Sequence, residues 1–241
     1  MTAIKERPIL FSAPMVRAIL EGRKTVTRRA LNAHSLKNIG YGVQLGECHE
    51  LPTEGSLHPN SVDYYNDFCP FGQPGDRLWV RETFGLQVRH YGGGAGEHIV
   101  YRATKPDAIY CKSAEGQEYP VKWKPSIHMP RHSSRILLEI TDVRVERLHD
   151  ISDDQAKAEG CFFTDYGQQC AHGGTGWKDI GICPAVAGHQ QRTGWAWDKT
   201  TSHEECLGSP RWAFANLWNS TGGEWDANPW VWVVEFKQVT P

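Results

Sequence analysis

The sequence predicts an α+β domain built around a small mixed β-barrel, with flanking helices and large loop insertions. Many short β-rich segments alternate with few helical ones along the chain, and this mixture is typical of an α+β architecture rather than of a doubly wound parallel sheet. The last β-rich segment, 230–236, is apolar on both faces at its start, as expected of a central or barrel strand.

Composition is that of one packed domain and excludes several classes of protein. The chain has 241 residues, of which 39% are hydrophobic and 22% are charged, so we expect a single domain over 1–241. It contains no apolar run of about 18 residues and no apolar segment near its start, so we expect a cytoplasmic protein without a membrane span or signal peptide. The net charge of −2 excludes a generally basic surface for nucleic acid.

The first block combines a strand, a helix and a second strand. Alternating residues predict a short strand at 9–11, and Ser12 with Pro14 then favours the start of a helix. Gly22 is suited to the position after the end of that helix. The β-branched residues of 24–29 favour an extended strand.

Three further strands are predicted at 77–81, 98–102 and 136–148, which are rich in apolar or β-branched residues. Prolines make the segment 124–131 irregular. The glycine-rich tract 91–96 is predicted to be a flexible loop.

Two later helices have start signals in the sequence. Ser152 and Gln155 match a capping box for a helix that ends at Gly160, and the pair 209–210 (Ser-Pro) opens the last helix. Loop-rich insertions are expected roughly at 30–70, 86–120 and 161–208. The first of these insertions shows no strong hydrophobic period, so no helix or strand is predicted there.

A local cluster of basic residues contrasts with the near-neutral net charge of the whole chain. Between residues 17 and 29 the arginines and lysines outnumber the acidic residues, of which there is a single glutamate. Arg28 and Arg29 could hold a phosphate by bidentate hydrogen bonds, and Arg131 and Arg135 could join them in space. Alternatively, these arginines pair with Asp and Glu on the same surface.

Four segments in sequence order resemble the ASCH domain, a family with a PUA-like small β-barrel. They are the signature-like segment 21–29, the Gly-Asp strand element 75–80, the helix end 156–160 and the last strand 231–236. The resemblance covers under half of the positions between 8 and 237. The segments 125–135 and 225–230 are similar to those of longer ASCH proteins found in phage and prophage genomes.

The resemblance implies a protein that binds RNA or nucleotides. One bacterial type of member is a small amidohydrolase that removes the acetyl group from N4-acetylcytidine. Its catalytic set is a Lys and a Thr three residues apart, with a Glu on a later helix, and Lys24, Thr27 and Glu159 match these positions. This chain is much longer than that enzyme, so its substrate pocket could differ. The implied partner is a modified nucleoside or RNA.

The same three residues suit amide hydrolysis on chemical grounds. Such a reaction needs a nucleophile, a base that activates it and an acid for the leaving amine. In this hypothesis Thr27 attacks, Lys24 takes its proton if the lysine pKa is lowered, and Glu159 positions Lys24 or protonates the leaving amine. In a regular strand Lys24 and Thr27 would project to opposite faces. A shared site therefore requires a turn or bulge near Thr25 and Val26.

Interpretations of these residues that involve no catalysis stay open. Lys24 could be a solvated lysine, Thr27 a strand former and Glu159 a carboxylate at a helix end. At the level of the whole protein, the alternative to an enzyme is a non-catalytic module that binds RNA or modified nucleic acid with the same pocket. A phage accessory protein that binds a host protein through its insertions is a third option.

The insertion 161–208 contains potential zinc ligands but no CxxC pair. Its four cysteines and three histidines are Cys161, Cys170, Cys183, Cys206, His172, His189 and His203. A structural zinc site would need four of them to converge. Reduced thiols are the expected state in the cytoplasm, so we expect no metal and no cofactor.

Overall fold

The structure is a computed structural model that describes residues 4–91, 94–164, 169–170, 178–179, 191–192 and 194–240. The helices within these ranges are α1 (Ala13–Leu20), α2 (Ala33–Leu45), α3 (Val62–Asp67), α4 (Asp153–Ala158) and α5 (Pro210–Ser220). The strands are β1 (Glu6–Leu10), β2 (Val26–Ala30), β3 (Arg77–Arg81), β4 (Phe84–Tyr91), β5 (Gly94–Tyr101), β6 (Ile109–Lys112), β7 (Glu118–Pro120), β8 (Leu137–Arg147), β9 (Phe162–Phe163), β10 (Gln169–Cys170), β11 (Lys178–Asp179), β12 (Gln191–Arg192), β13 (Trp195–Ala196) and β14 (Trp230–Val239). The mixture confirms the α+β class.

A five-stranded sheet in the order β1-β3-β8-β14-β2 forms the centre of the fold. Strands β1 and β3 pair in parallel, whereas β3, β8, β14 and β2 pair in antiparallel fashion. Within the described residues β1 and β2 are the two edges of this sheet. No hydrogen bonds between these two edge strands close the described sheet, so the closed barrel stays a prediction.

Strand β14 is central and buried on both faces, as its sequence predicts. Val231 and Val233 pack against the cluster under α5, which includes Phe214. Trp232 and Val234 face the opposite cluster, which contains residues of α1 and β3. Two apolar cores therefore lie on the two sides of the sheet, and the strand between them carries no exposed face along 231–234.

The local start and stop signals lie where the sequence predicts them. Ser152 accepts a hydrogen bond from the Gln155 amide and Gln155 bonds back to the Ser152 amide, so the capping box is complete. Ser209 likewise accepts from the Trp212 amide at the start of α5. Gly22 follows α1 with a φ of 74°, a conformation that favours glycine.

The prediction for residues 30–70 missed two helices. Helix α2 begins after Asn32, whose side chain accepts from the Ser35 amide, and ends at Gly46 with a φ of 74°. Its buried face carries Ser35 and Gly42 beside one isoleucine, so the face is too small and polar to give an apolar period. A Cβ at Gly42 would lie 2.3 Å from the Tyr64 hydroxyl, which explains why the contact with α3 uses a glycine.

The insertion 86–120 forms two antiparallel hairpins. Strands β4 and β5 pair from Phe84 with Tyr101 to Tyr91 with Gly94, and β6 pairs with β7. The predicted flexible loop over 91–96 was wrong for residues 91 and 94–96, because the β4–β5 ladder holds them in the two strands. Residues 92–93 lie outside the described residues. The segment 124–131 is irregular as predicted, with short 3-10 turns.

Membrane-spanning helices and clusters of metal-ligating side chains are both absent from the described ranges. None of the helices there is both long and apolar enough to cross a bilayer. The same ranges contain no group of three or more His, Cys, Asp or Glu side chains arranged to hold a metal ion. His172, Cys183 and His189 of the zinc alternative lie outside the described residues.

Candidate functional site

The three predicted catalytic residues lie where the end of α1, the start of β2 and the end of α4 meet. The amides of Arg23 and Lys24 both donate to the Ala18 carbonyl, so the chain turns sharply after α1. Lys24 then forms an isolated antiparallel bridge with Glu159. Because β2 begins only at Val26, Lys24 lies outside the regular strand that contains Thr27. The turn or bulge near Thr25 and Val26 that a shared site requires stays a prediction.

Gly160 allows the end of α4 to approach α1 closely. Its φ is 106°, and a Cβ built there would lie 2.8 Å from the Ala18 Cβ and 3.4 Å from the Lys24 Cβ. The Gly160 carbonyl also accepts from the Arg23 guanidinium. A larger residue would strain the backbone and push α4 away, so this glycine fixes the position of Glu159.

Lys24 and Glu159 form a buried ion pair. The Lys24 ammonium donates to Glu159 Oε2 at 2.5 Å, to the Glu159 carbonyl at 3.0 Å and to the Val26 carbonyl at 2.8 Å. The two side chains are only 0% and 2% exposed. All three hydrogens of the ammonium are thus satisfied, which is the condition under which a charged lysine can be buried. The interpretation of Lys24 as a solvated lysine is wrong.

Arg28 adds a second cation to the same carboxylate. Its guanidinium donates to Glu159 Oε1 at 3.4 Å and to Glu146 Oε2 at 3.1 Å, and the side chain is fully buried. The Phe214 ring lies 5.9 Å from the guanidinium carbon. Within the residues that the structure describes, the buried Nε atom of Arg28 has no hydrogen-bond partner.

Burial shifts the pKa values of this cluster. Desolvation lowers the pKa of Lys24, and the charge of Glu159 and its hydrogen bond partly offset that effect. Desolvation also lowers the pKa of Arg29, again with an opposing effect of Glu159. Burial, with the charge of Glu159, raises the pKa of the neighbouring Cys161 to about 12. The Cys161 thiol is thus a poor nucleophile at neutral pH.

A cavity of about 230 Å³ opens beside the ion pair. Thr27, Arg28, Arg29 and Glu159 line it on the side of β2 and α4. Its other wall is supplied by α5 and the residues after it, with Phe214, Leu217, Trp218, Gly222 and Gly223. The fully buried Lys24 is not part of the lining, whereas its partner Glu159 is. A ligand in this space would contact Thr27 and Glu159.

Of the predicted anion-binding arginines, Arg28 and Arg29 line this cavity and the other two do not. Arg131 donates to Glu6 at 2.8 Å. Arg135 makes a bidentate pair with Glu82, at 2.9 and 3.0 Å. Both thus form the ion pairs of the alternative interpretation, and their phosphate-binding role stays a prediction without support from this geometry.

The sequence interpretation missed the wall of the cavity. Glu146, which shares Arg28 with Glu159, lies on β8, and Phe214 and Trp218 lie on α5. The signal was present in α5, since its sequence is apolar over much of its surface and therefore had to contact more than one neighbour.

Comparison of the chain with protein-family models, with curated proteins and with solved structures gives no match.

Proposed function

We propose that this protein is an amidohydrolase that removes the acyl group from an acylated nucleobase amide such as N4-acetylcytidine, on a PUA-like ASCH scaffold. The observation that supports this function is the buried Lys24–Glu159 pair, joined at 2.5 Å, beside a cavity that Thr27 and Glu159 line. A hydroxyl, a lysine of lowered pKa and a carboxylate open to the ligand are the groups that amide hydrolysis requires.

The proposed reaction divides the work between a buried base and a carboxylate open to the cavity. Thr27 Oγ1 attacks the acyl carbon and transfers its proton to the neutral Lys24 amine. Lys24 passes a proton through its hydrogen bond to Glu159, and Glu159 protonates the leaving nucleobase amine as the C–N bond breaks. Water then hydrolyses the acyl-threonine ester, which releases the carboxylic acid and restores Thr27.

The remaining charges favour the transition state of this reaction. Lys24, Arg28 and Arg29 contribute three positive charges, against two carboxylates of Glu159 and Glu146. The excess positive charge would stabilise the oxyanion that forms when the acyl carbonyl is attacked. The volume of about 230 Å³ lies below the roughly 300–1,000 Å³ of most small-molecule sites, so it favours a single base over a bulky polymer.

The activity should depend on pH through Lys24. Burial lowers the pKa of Lys24, so the neutral, basic form becomes abundant at a lower pH than for an exposed lysine. We expect kcat/KM to rise with pH and to level off below the ordinary lysine pKa of about 10.4. Initial rates on N4-acetylcytidine from neutral pH upward, corrected for hydrolysis without enzyme, would check this. A rate independent of pH over that range would contradict Lys24 as the base.

The function itself is tested by an absorbance assay of the purified protein with N4-acetylcytidine. We expect conversion to cytidine and acetate with catalytic turnover. If no conversion occurs, the amidohydrolase proposal fails. Titration of single-stranded RNA over a salt series then tests the binding module, for which a steep salt dependence of affinity is expected. The competing module should bind RNA without changing the nucleoside.

A further inference from the structure

A second cavity in the described part of the chain lies away from the candidate site, between the two hairpins of the insertion 86–120. Its volume is about 670 Å³, within the range of roughly 300–1,000 Å³ that small-molecule sites occupy. It is lined by residues of β4, β5, β6 and β7 and by the segment 122–124 that follows them. The proposed hydrolysis uses none of these residues.

Hydrogen bonds between the hairpins hold the cavity open in a defined shape. Gln87 on β4 donates to the Ile109 carbonyl on β6 at 2.9 Å. The Tyr110 hydroxyl on β6 donates to Glu97 Oε1 on β5 at 2.9 Å. Lys124 and Phe84 exchange two backbone hydrogen bonds, at 2.7 and 3.2 Å, which fix the rim to the base of β4. These hydrogen bonds connect β4 with β6, β5 with β6, and β4 with the segment 122–124.

The walls are apolar and aromatic, whereas the rim is basic. Leu86, Tyr110, Tyr119 and Pro120 supply carbon surface and two aromatic rings. Tyr119 is 43% exposed, a high value for an aromatic side chain in a sheet. Flat rings are the natural complement of such a wall, because they stack on aromatic faces.

The charged side chains at the rim of the cavity favour a negatively charged ligand. Lys122 and Lys124 both line the cavity, and within the described ranges neither forms a salt bridge to a carboxylate. Lys112 on the same hairpin, in contrast, pairs with Glu118 at 3.4 Å. The Glu97 carboxylate in the lining is already bonded to Tyr110. One carboxylate and two lysines leave the cavity with a net positive rim.

We propose that this hairpin cavity is a second ligand site, which binds a small aromatic molecule that carries an anionic group. The rings lie against Tyr110 and Tyr119, and the anion lies at Lys122 and Lys124. This proposal does not depend on the proposed hydrolysis, so an experiment can refute either one without the other.

Two fluorescent probes with the same rings test the proposal. Anilinonaphthalene sulfonate carries the anionic group, and N-phenylnaphthylamine lacks it. We expect the sulfonate probe to bind more tightly than the neutral one. Replacing both Lys122 and Lys124 by alanine should weaken the sulfonate probe roughly tenfold, which is a loss of about 1.4 kcal/mol shared between two exposed ion pairs. The neutral probe should bind unchanged.

Matched controls assign the effect to this cavity. The double variant Lys37→Ala/Lys105→Ala removes two exposed lysines that lie outside the lining, and it should bind both probes like the wild type. Tyr119→Ala should weaken both probes. Equal affinity for the two probes, or an equal loss in the control variant, would overturn the proposal.

Cysteine protection provides a test without any substitution. Cys111 lines the cavity, whereas Cys206, which is also a half-buried free thiol, hydrogen-bonds with Thr164 elsewhere. Saturating sulfonate probe should slow the alkylation of Cys111 several-fold and leave that of Cys206 unchanged, as read from the mass of the labelled peptides. Unchanged labelling of Cys111 would mean that the probe binds elsewhere and would refute the site.

Discussion

Replacing Thr27 by valine should abolish the hydrolysis of N4-acetylcytidine, with a fall in kcat/KM of about 10³-fold or more. Valine keeps the branched shape of threonine but has no hydroxyl, so the acyl-enzyme cannot form. Thr27 is buried in β2, opposite Val234 of β14, and a β-branched residue there preserves the strand. Initial rates by absorbance, with urea unfolding alongside, separate the loss of chemistry from the loss of fold.

The matched variant is Thr27→Ser, which keeps the hydroxyl and removes one methyl group. We expect it to retain activity within about tenfold of the wild type, because the nucleophile is still present. The contrast between the two variants is the informative result. Substantial turnover by Thr27→Val would remove Thr27 from the mechanism and leave Glu159 to activate water directly.

Local signals in the sequence predicted much of the fold, because they depend on few neighbours. The capping box at Ser152 and Gln155 and the Ser-Pro start at 209–210 lie at observed helix starts. The apolar run at 230–236 became the central strand β14. Helix α2 was missed because Gly42 packs on Tyr64 through a small residue, and the need for such a contact is set by a distant part of the chain.

The sequence predicted which residues form the candidate site but not how they are arranged in space. The resemblance singled out Lys24, Thr27 and Glu159, and regular strand geometry then argued against a shared site. Long-range contacts position Lys24, since the Thr25 amide donates to the Ala158 carbonyl and Lys24 pairs with a residue 135 positions away. No periodicity in the sequence carries such information. Spacing alone could also not indicate that Lys24 is buried and absent from the cavity lining.

Glu159→Ala should destabilise the whole domain, with a loss of about 3–5 kcal/mol in the free energy of unfolding. The variant leaves the buried Lys24 without its counterion and removes one of the two carboxylates that Arg28 contacts. A buried charge without a partner costs far more than the net stabilisation that the pair supplies. Urea unfolding followed by tryptophan fluorescence would measure the loss. Stability within about 1 kcal/mol of the wild type would mean that the pair is not desolvated.

The double variant Lys24→Met/Glu159→Gln separates burial of charge from loss of packing. It keeps both side-chain volumes and removes both charges, and replacing a buried ion pair in this way is often close to neutral for stability. We therefore expect it to be more stable than Glu159→Ala, although it lacks activity. The deficit of Glu159→Ala should also shrink as pH rises towards the ordinary pKa of lysine. Its Lys24 has a lowered pKa in the folded state, so the unfolded chain binds more protons and stability increases with pH. The stability of the double variant should not respond to pH in this way, because neither position titrates. A buried Lys24 without its partner thus costs stability that an uncharged replacement of the whole pair does not.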